Sequence, residues 1–361
     1  MKVLLLAGEE SGVLYAKGIA ERLRRARPDV EIRGFGDYGF ETHDLAVMGF
    51  AAVLSRIFYF LKVKKTLERA IDAWRPDVVC TVDYPGMNLK LAAYAKARGI
   101  RTVHVVCPQV WAWKAGRIPK IEASLDCLCC FFPFEPKLFK PGFATFVGHP
   151  LAAEFGNRKA SAARGRPLLA VLPGSRHGEI ERLLPTLAEA VKGLDADVVI
   201  PAATDRAYAQ INETLRGISA SVTVQKGGAR ELLQKADCAV VASGTATLEA
   251  ALARCPTVLV YRVGRLLGWF ARRVIKGIRH VGLANIVWEK CAGAGAADEA
   301  PMPELLQEDF TAANVRARLG RWLESPAARE EARRRLDAAM AFLEGDGDPL
   351  GRVVSRCLDV V

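Results

Sequence analysis

Short apolar runs alternate with longer segments whose apolar positions recur every three or four residues, along nearly the whole chain. The short runs are 3–7, 30–34, 77–82, 102–106 and 125–132, then 168–172, 198–201, 222–225, 238–242 and 257–261. Most are close to continuously hydrophobic, the mark of strands covered on both faces, as in parallel sheets. Between them, 13–26 and the segment opening at Glu179 carry the 3.6-residue period of amphipathic helices. Strand and helix in alternation predict α/β units built on parallel sheets.

The alternation breaks at 157–166, which is polar, basic and without apolar period, and then it restarts. This predicts an N-terminal Rossmann-like domain over 1–157, a linker over 158–166 and a second Rossmann-like domain over 167–325. Charged helices over 326–361 are expected to pack back on the first domain. The two domains should face a central cleft, with ligands beyond the carboxyl ends of the strands.

Composition narrows this picture. A chain of 361 residues, 51% hydrophobic and 25% charged, is long and apolar enough for two globular α/β domains. Met1-Lys2 runs directly into the first strand, so no export signal is expected, and no apolar stretch is long enough to span a bilayer. The nine cysteines sit mostly in apolar runs and read as buried, reduced thiols of a cytoplasmic protein. Cys127, Cys129 and Cys130 lack the paired spacing of a zinc site. The net charge of +11 points to an anionic partner: nucleic acid, a membrane surface or a phosphorylated substrate. No zinc-finger spacing, aromatic RNA-binding signature or helix-turn-helix is visible, which leaves nucleic acid the weakest of the three.

The candidate chemistry sits at strand ends. Run 238–242 stops at Ser243-Gly244-Thr245 and feeds a helix rich in Ala and Leu. Free N–H groups at such a helix start point outward and favour an anion. Gly244 permits close backbone approach, Thr245 adds a hydroxyl, and Glu249, one turn in, can accept hydrogen bonds from a ribose. Gly174-Ser175-Arg176 is a second turn of this kind, with an arginine fork suited to diphosphate. Asp83 lies just past run 77–82, and Tyr84-Pro85-Gly86 then forces a turn. A lone carboxylate there serves either as a general base or as an ordinary turn aspartate. The turn from Gly8 to Gly12 holds Glu9, Glu10 and Ser11, which suit sugar hydroxyls better than phosphate, or simply complement the next helix. Trp111 and Trp113 either stack on a sugar or pack, and His149 is the histidine placed to line the cleft.

Other patterns carry less. Gly34 to Gly39 matches G-x-G-x-x-G in letters but opens no clear helix. Asp195-Ala196-Asp197 has the spacing of metal-dependent sugar transferases but precedes its strand, on the wrong edge of the sheet, so no metal is inferred. Stretches 50–65 and 264–279 mix aromatic and aliphatic residues with cations, as helices on an anionic membrane surface do, or as core helices with a solvated basic side do.

Taken in order, these motifs resemble the lipid A disaccharide synthase family of inverting, two-Rossmann (GT-B) glycosyltransferases. The resemblance runs through Gly8–Gly12, Val47–Phe50, Val82-Asp83, Gln109–Trp113, Phe132–Glu135 and Phe146–Pro150. It continues through Leu172–Arg176, Ala242–Glu249, Tyr261-Arg262, Asn285 and Pro303–Gln307, and so spans nearly the whole chain. It implies transfer from UDP-2,3-diacylglucosamine to 2,3-diacylglucosamine 1-phosphate (lipid X), giving a β(1→6) disaccharide 1-phosphate and UDP, with no metal or other cofactor. It implies Asp83 as the base on the acceptor 6-hydroxyl, with Arg176 and Gly174, Ser175, Ser243, Gly244 and Thr245 at the donor diphosphate. Glu249 would hold the ribose, Asn285, Glu304 and Gln307 would complete the donor pocket, and Glu9, Ser11, Gly12, Trp111, Trp113 and His149 would lie on the acceptor side. It also implies a protein on the cytoplasmic face of the inner membrane, and a homodimer that exchanges C-terminal segments.

Departures cluster in the first domain. Val13 stands where the family usually has Asp, Ala284 where it has Pro, and 34–45 is a shortened loop. They bear on the acceptor more than on the donor. The rivals are a UDP-N-acetylglucosamine 2-epimerase, also built from two Rossmann domains, and a non-catalytic lipid-binding descendant.

Overall fold

The computed structural model describes residues 1–8, 10–40, 57–155, 165–216, 222–263, 279–293, 300–345 and 347–359. The chain divides into two compact units, Met1–Ala153 with Gly345–Val361, and Glu154–Glu344. The expected linker 158–166 falls largely outside the described residues.

In the first unit, β1 (Lys2–Ala7), β2 (Glu31–Arg33), β3 (Val78–Val82), β4 (Arg101–Val105), β5 (Cys127–Cys130) and β6 (Ala144–Phe146) form one sheet in the order β2-β1-β3-β4-β5-β6. Every pairing is parallel. The connections run through α1 (Glu10–Ala26), α2 (Ile57–Trp74), α3 (Pro85–Lys96) and α4 (Ile118–Ser124), and α5 (Pro150–Phe155) follows β6. Alternate residues of the sheet fill opposite cores, as the period-two strand requires. Val3, Leu5, Val78 and Cys80 meet Ile19 and Leu23 of α1, while Leu4, Leu6 and Val79 meet Val63, Leu67 and Ile71 of α2. From β1 the chain passes to β2 on one side and then to β3 on the other. The crevice at that reversal, beyond the carboxyl ends of β1 and β3, is where a sheet of this kind takes its ligand.

The second unit repeats the design. Its strands are β7 (Leu168–Leu172), β8 (Asp197–Ala202), β9 (Thr223–Lys226), β10 (Cys238–Ala242), β11 (Thr257–Tyr261) and β12 (Glu304–Leu306). They run parallel in the order β12-β11-β10-β7-β8-β9, so the reversal lies between β7 and β10. The helices are α6 (His177–Val191), α7 (Asp205–Leu215), α8 (Ala229–Lys235), α9 (Thr245–Leu252), α10 (Leu283–Cys291), α11 (Ala312–Glu324) and α12 (Pro326–Met340). β10 is buried at every position, as a central strand covered on both faces must be.

The tail separates into two destinations. α12 stays with the second unit, where Ala332 enters the core. The last helix, α13 (Pro349–Leu358), returns to the first unit and packs on α1, with Val353 and Cys357 buried beside Ile19. Arg22 of α1 donates to Asp348 at 2.5 Å. Gly148, at φ +88, gives α13 its seat, because a Cβ there would meet Pro349 at 3.2 Å. The edge strands β6 and β12, each of three residues, are too short to show a period in the sequence.

Candidate active site

The strand ends singled out in the sequence fall at the two reversals. In the first unit, β1 runs into Gly8 and β3 into Asp83. Asp83 and Tyr84 both take left-handed backbone, at φ +52 and +50. Each costs roughly 1–2 kcal/mol for a residue with a Cβ, so two in succession mark a corner that its surroundings hold. The Asp83 N–H continues the ladder onto Val105 O at 2.9 Å. Pro85 then opens α3, where its missing N–H costs nothing.

The Asp83 carboxyl is half-buried. Burial pushes its pKa above the usual carboxylate range, opposed by the Tyr84 N–H, which donates to Oδ1 at 2.8 Å. Among the described residues no donor reaches Oδ2. Gly12, at the start of α1, lies across the crevice: a Cβ there would stand 3.7 Å from the Cβ of Asp83. The Tyr84 ring covers Gly8 so closely that a Cβ would approach it to 2.5 Å. Glu9 and the side chain of Ser11 lie outside the described residues.

Nothing in the sequence marks Asn88, yet its wholly buried side chain ties this corner together. Its amide donates to Asp83 O at 2.8 Å and Val82 O at 3.2 Å, and lies 3.5 Å from Leu6 O of β1. An asparagine in a helix has no motif to betray it, because its partners come from two strands.

The aromatic pair divides. Trp111 packs edge-on against Phe134 and donates its indole N–H to Glu135 at 3.1 Å, so its polar edge is committed. Trp113 is 41% exposed, with the Lys114 ammonium 4.3 Å over its ring. His149 is buried against Phe131 and Phe132, and burial lowers its pKa to about 4. Its Nδ1 accepts the Leu151 N–H at 3.2 Å, which leaves the proton on Nε2. Burial also raises Glu135 to about 8. Cys107 and Cys130, read from sequence as buried, reduced thiols, meet this carboxyl, with all three ligand atoms within 4.8 Å of one another. Contact with Cys107 and burial push the Cys130 thiol far above its ordinary value. Val13 lines an open groove of about 350 Å³ between α1 and the end of β2, where Ala16, Ala20 and Ile32 meet the charged side chains of Lys17, Glu21, Arg24, Arg33 and Asp37.

In the second unit, β7 and β10 are neighbours, with Leu172 opposite Val241, so both anion-type turns open side by side. Gly244 lies at φ +154 and ψ −164, a region that glycine alone enters readily. Among the described residues nothing lies within 4 Å of where its Cβ would stand, so they leave the space over the start of α9 open. Thr245 is exposed and Ser243 half-buried. Gly174 is also obligatory, since at φ +105 a Cβ would fall 2.5 Å from the Glu179 carboxylate. Arg176, largely exposed, pairs with that carboxylate at 2.8 Å and retains further N–H donors.

Glu249 points from α9 toward Arg230 of α8, 3.5 Å away, and Arg230 also reaches Glu154 at 3.1 Å. Burial raises the Glu249 pKa and Arg230 opposes the rise. Arg230 is a second residue that sequence motifs do not reveal. Asn285 and Glu304 turn onto each other rather than outward. The Asn285 amide donates to Glu304 and to Met302 O, both at 2.8 Å, and its oxygen accepts the Met302 N–H at 2.9 Å. Glu304 caps the approach to α10 through the Val281 and Gly282 N–H groups. Gln307 is at φ +49 and accepts Arg262 on its carbonyl. Asn285 and Glu304 thus brace the start of β12, while Gln307 separately ties Arg262 and Val263 past the end of β11.

A family model described as lipid-A-disaccharide synthetase matches residues 3–341. The lipid-A-disaccharide synthase of Chromohalobacter salexigens is 37% identical over 374 aligned residues, covering 95% of this chain and 93% of that one. Among solved structures, the calicheamicin glycosyltransferase CalG4 superposes with a TM-score of 0.60 at 16% identity, covering 99% of this chain and 98% of that one. The UDP-GlcNAc 2-epimerase of Neisseria meningitidis, bound to UDP-GlcNAc, gives 0.58 at 10%, covering 99% of both chains. At these identities the structural likeness shows the two-Rossmann fold alone, which a transferase and an epimerase share.

Proposed function

The chain belongs to the lipid-A-disaccharide synthase family, and on that premise we propose that it joins UDP-2,3-diacylglucosamine to 2,3-diacylglucosamine 1-phosphate, with Asp83 as general base. The carboxylate takes the proton of the acceptor 6-hydroxyl. The freed oxygen attacks C1 of the donor from the face opposite UDP. The C1–O bond to UDP breaks with its electron pair, inverting C1 to the β linkage. The observation that carries this is the Asp83 corner: a half-buried carboxyl at a sheet reversal, with one oxygen held by the Tyr84 N–H.

Charge that grows on the departing diphosphate is met by the open start of α9 at Ser243-Gly244-Thr245 and by the guanidinium of Arg176. Glu249, steadied by Arg230, accepts the ribose hydroxyls. Asn285, Glu304 and Gln307 frame the donor pocket from behind, by the contacts they make with one another and with the backbone. With these donors the step calls for no metal, and chelation should leave the rate unchanged; activity restored only by an added divalent ion would overturn that part.

On the acceptor side, Gly12 lies beside the base, Trp113 offers an exposed face to a sugar, and the Ala16, Ala20 and Ile32 part of the groove at Val13 takes an acyl chain. Contact with the cytoplasmic face of the inner membrane is supported by α2, where Phe58 (83% exposed) and Leu61 (55%) stand beside Lys62 and Lys65. No described helix is long and apolar enough to cross a membrane. Most of the second basic stretch, 264–279, lies outside the described residues. In a homodimer that exchanges C-terminal segments, α13 would make its contact with α1 on the other copy.

The test supplies both diacylated substrates and looks for disaccharide 1-phosphate and UDP. Incubation with UDP-N-acetylglucosamine alone should return it unchanged; epimerised sugar would overturn the transferase.

A further inference from the structure

We propose that Asn88 is a positioning residue for the transfer step, holding the left-handed corner that aims the Asp83 carboxylate. This rests on Asp83 being the base.

The corner needs an external hold. Two successive residues with Cβ atoms sit near φ +50, and backbone of that kind relaxes unless its surroundings over-determine it. The hydrogen bond from Tyr84 N–H to Asp83 Oδ1 is local and turns with the corner, so it cannot fix the corner in space. Asp83 N–H to Val105 O anchors one side of the residue. The other side, the carbonyl of Asp83, is anchored by the Asn88 amide at 2.8 Å. The same amide reaches Val82 O, also on the β3 side, and Leu6 O on β1, so it references the corner to both strands of the reversal. The backbone N–H of Asn88 adds a bond to Tyr84 O at 3.2 Å.

The side chain gives up something for this. Its Oδ1 is buried with no hydrogen-bond partner among the described residues, a cost that an apolar residue of similar size would avoid. Three carbonyl oxygens around Nδ2 exclude the flipped amide, in which oxygen would face oxygen. What position 88 uses is therefore a pair of N–H donors on a short arm. Aspartate supplies no such donors and leucine fills the space without them.

The experiment compares Asn88→Leu and Asn88→Ser with wild type and with Asp83→Asn. Steady-state rates are measured with both diacylated substrates, alongside calorimetric UDP affinity and melting temperature. Misplacing a reacting group by about 1 Å costs about 10²-fold. Asn88→Leu should lose kcat on that scale with donor KM and UDP affinity within about twofold of wild type, and Asn88→Ser, which keeps one donor, should fall between them. If Asn88→Leu does not fold, Asn88→Ser decides alone: a reduced kcat with unchanged UDP affinity supports positioning, and a wild-type kcat overturns it. Loss of kcat and UDP affinity together would mean that Asn88 only stabilises the unit. A wild-type rate in Asp83→Asn would instead remove the base, and with it the reading on which this proposal rests.

Discussion

Asp83 and Gly244 occupy matching places in the two units, each just past the strand across the reversal, yet their backbones are held in opposite ways. After β10 the chain uses glycine at φ +154, and no described residue fills the place where a side chain would be. After β3 it uses two residues with side chains at φ near +50 and a buried amide to hold them. The difference follows from what each end is for. An anion is bound by backbone N–H groups, so the best residue is the one with least side chain in the way. Proton transfer needs a carboxylate at a fixed point, so the side chain stays and the neighbouring fold absorbs the strain.

Breaking each end separately sharpens that contrast. Asp83→Asn keeps the shape and removes the base, and transfer should fall about 10³-fold, measured as disaccharide 1-phosphate formed at saturating substrates. Gly244→Val forces a Cβ into glycine-only backbone at a cost of roughly 1–3 kcal/mol. Its UDP affinity should drop about tenfold to a hundredfold by calorimetry, while kcat at saturating donor changes far less. The pH profile separates the two ends again. Asp83 works ionised, and burial raises its pKa, so kcat/KM should decline as pH falls through a value above the ordinary aspartate figure of about 3.9. An acid limb at or below that figure would contradict the half-buried base.

A smaller effect concerns stability in the first unit. Glu135 is raised to about 8 by burial. The stability this group contributes is complete below its unfolded value of about 4.3 and is lost as pH rises through its folded value. The melting temperature of wild type relative to Glu135→Gln should therefore decline from about pH 4.3 to about 8 and level off above that, and a constant difference would refute it. Smallest is Gly12→Ala. Its Cβ would meet Val82 O at 3.4 Å and Asp83 Cβ at 3.7 Å, ordinary contact distances, so acceptor KM should rise only a fewfold and donor KM not at all.

Much of this was legible in the residues. Unbroken apolar runs such as 168–172, 238–242 and 257–261 coincide with strands, because a central parallel strand must be hydrophobic on both faces. The turns at Ser243-Gly244-Thr245 and Gly174-Ser175-Arg176, and Asp83 itself, announce themselves because glycine, proline and a strand end are local signals. The contacts that hold them are not local. Asn88 reaches Leu6 across 82 residues, Arg230 links Glu154 to Glu249, and α13 returns to α1 from the far end of the chain. Cys107 and Cys130 look like any buried cysteines until the sheet brings them to Glu135. Asn285 and Glu304, conspicuous as motif residues, prove to spend their polar groups on each other and on the backbone of Met302, Val281 and Gly282. A pattern of residue types reports which strand ends carry chemistry; it carries no record of which distant side chain steadies them.

The division of labour between the two ends is tested most directly by one titration: UDP binding to Asp83→Asn, measured on the same preparation whose transfer rate has fallen. If Asp83 serves the chemical step while the turns after β7 and β10 hold the donor, the affinity will match wild type within about twofold. A loss of UDP affinity in step with the loss of rate would place Asp83 in donor binding and contradict the account.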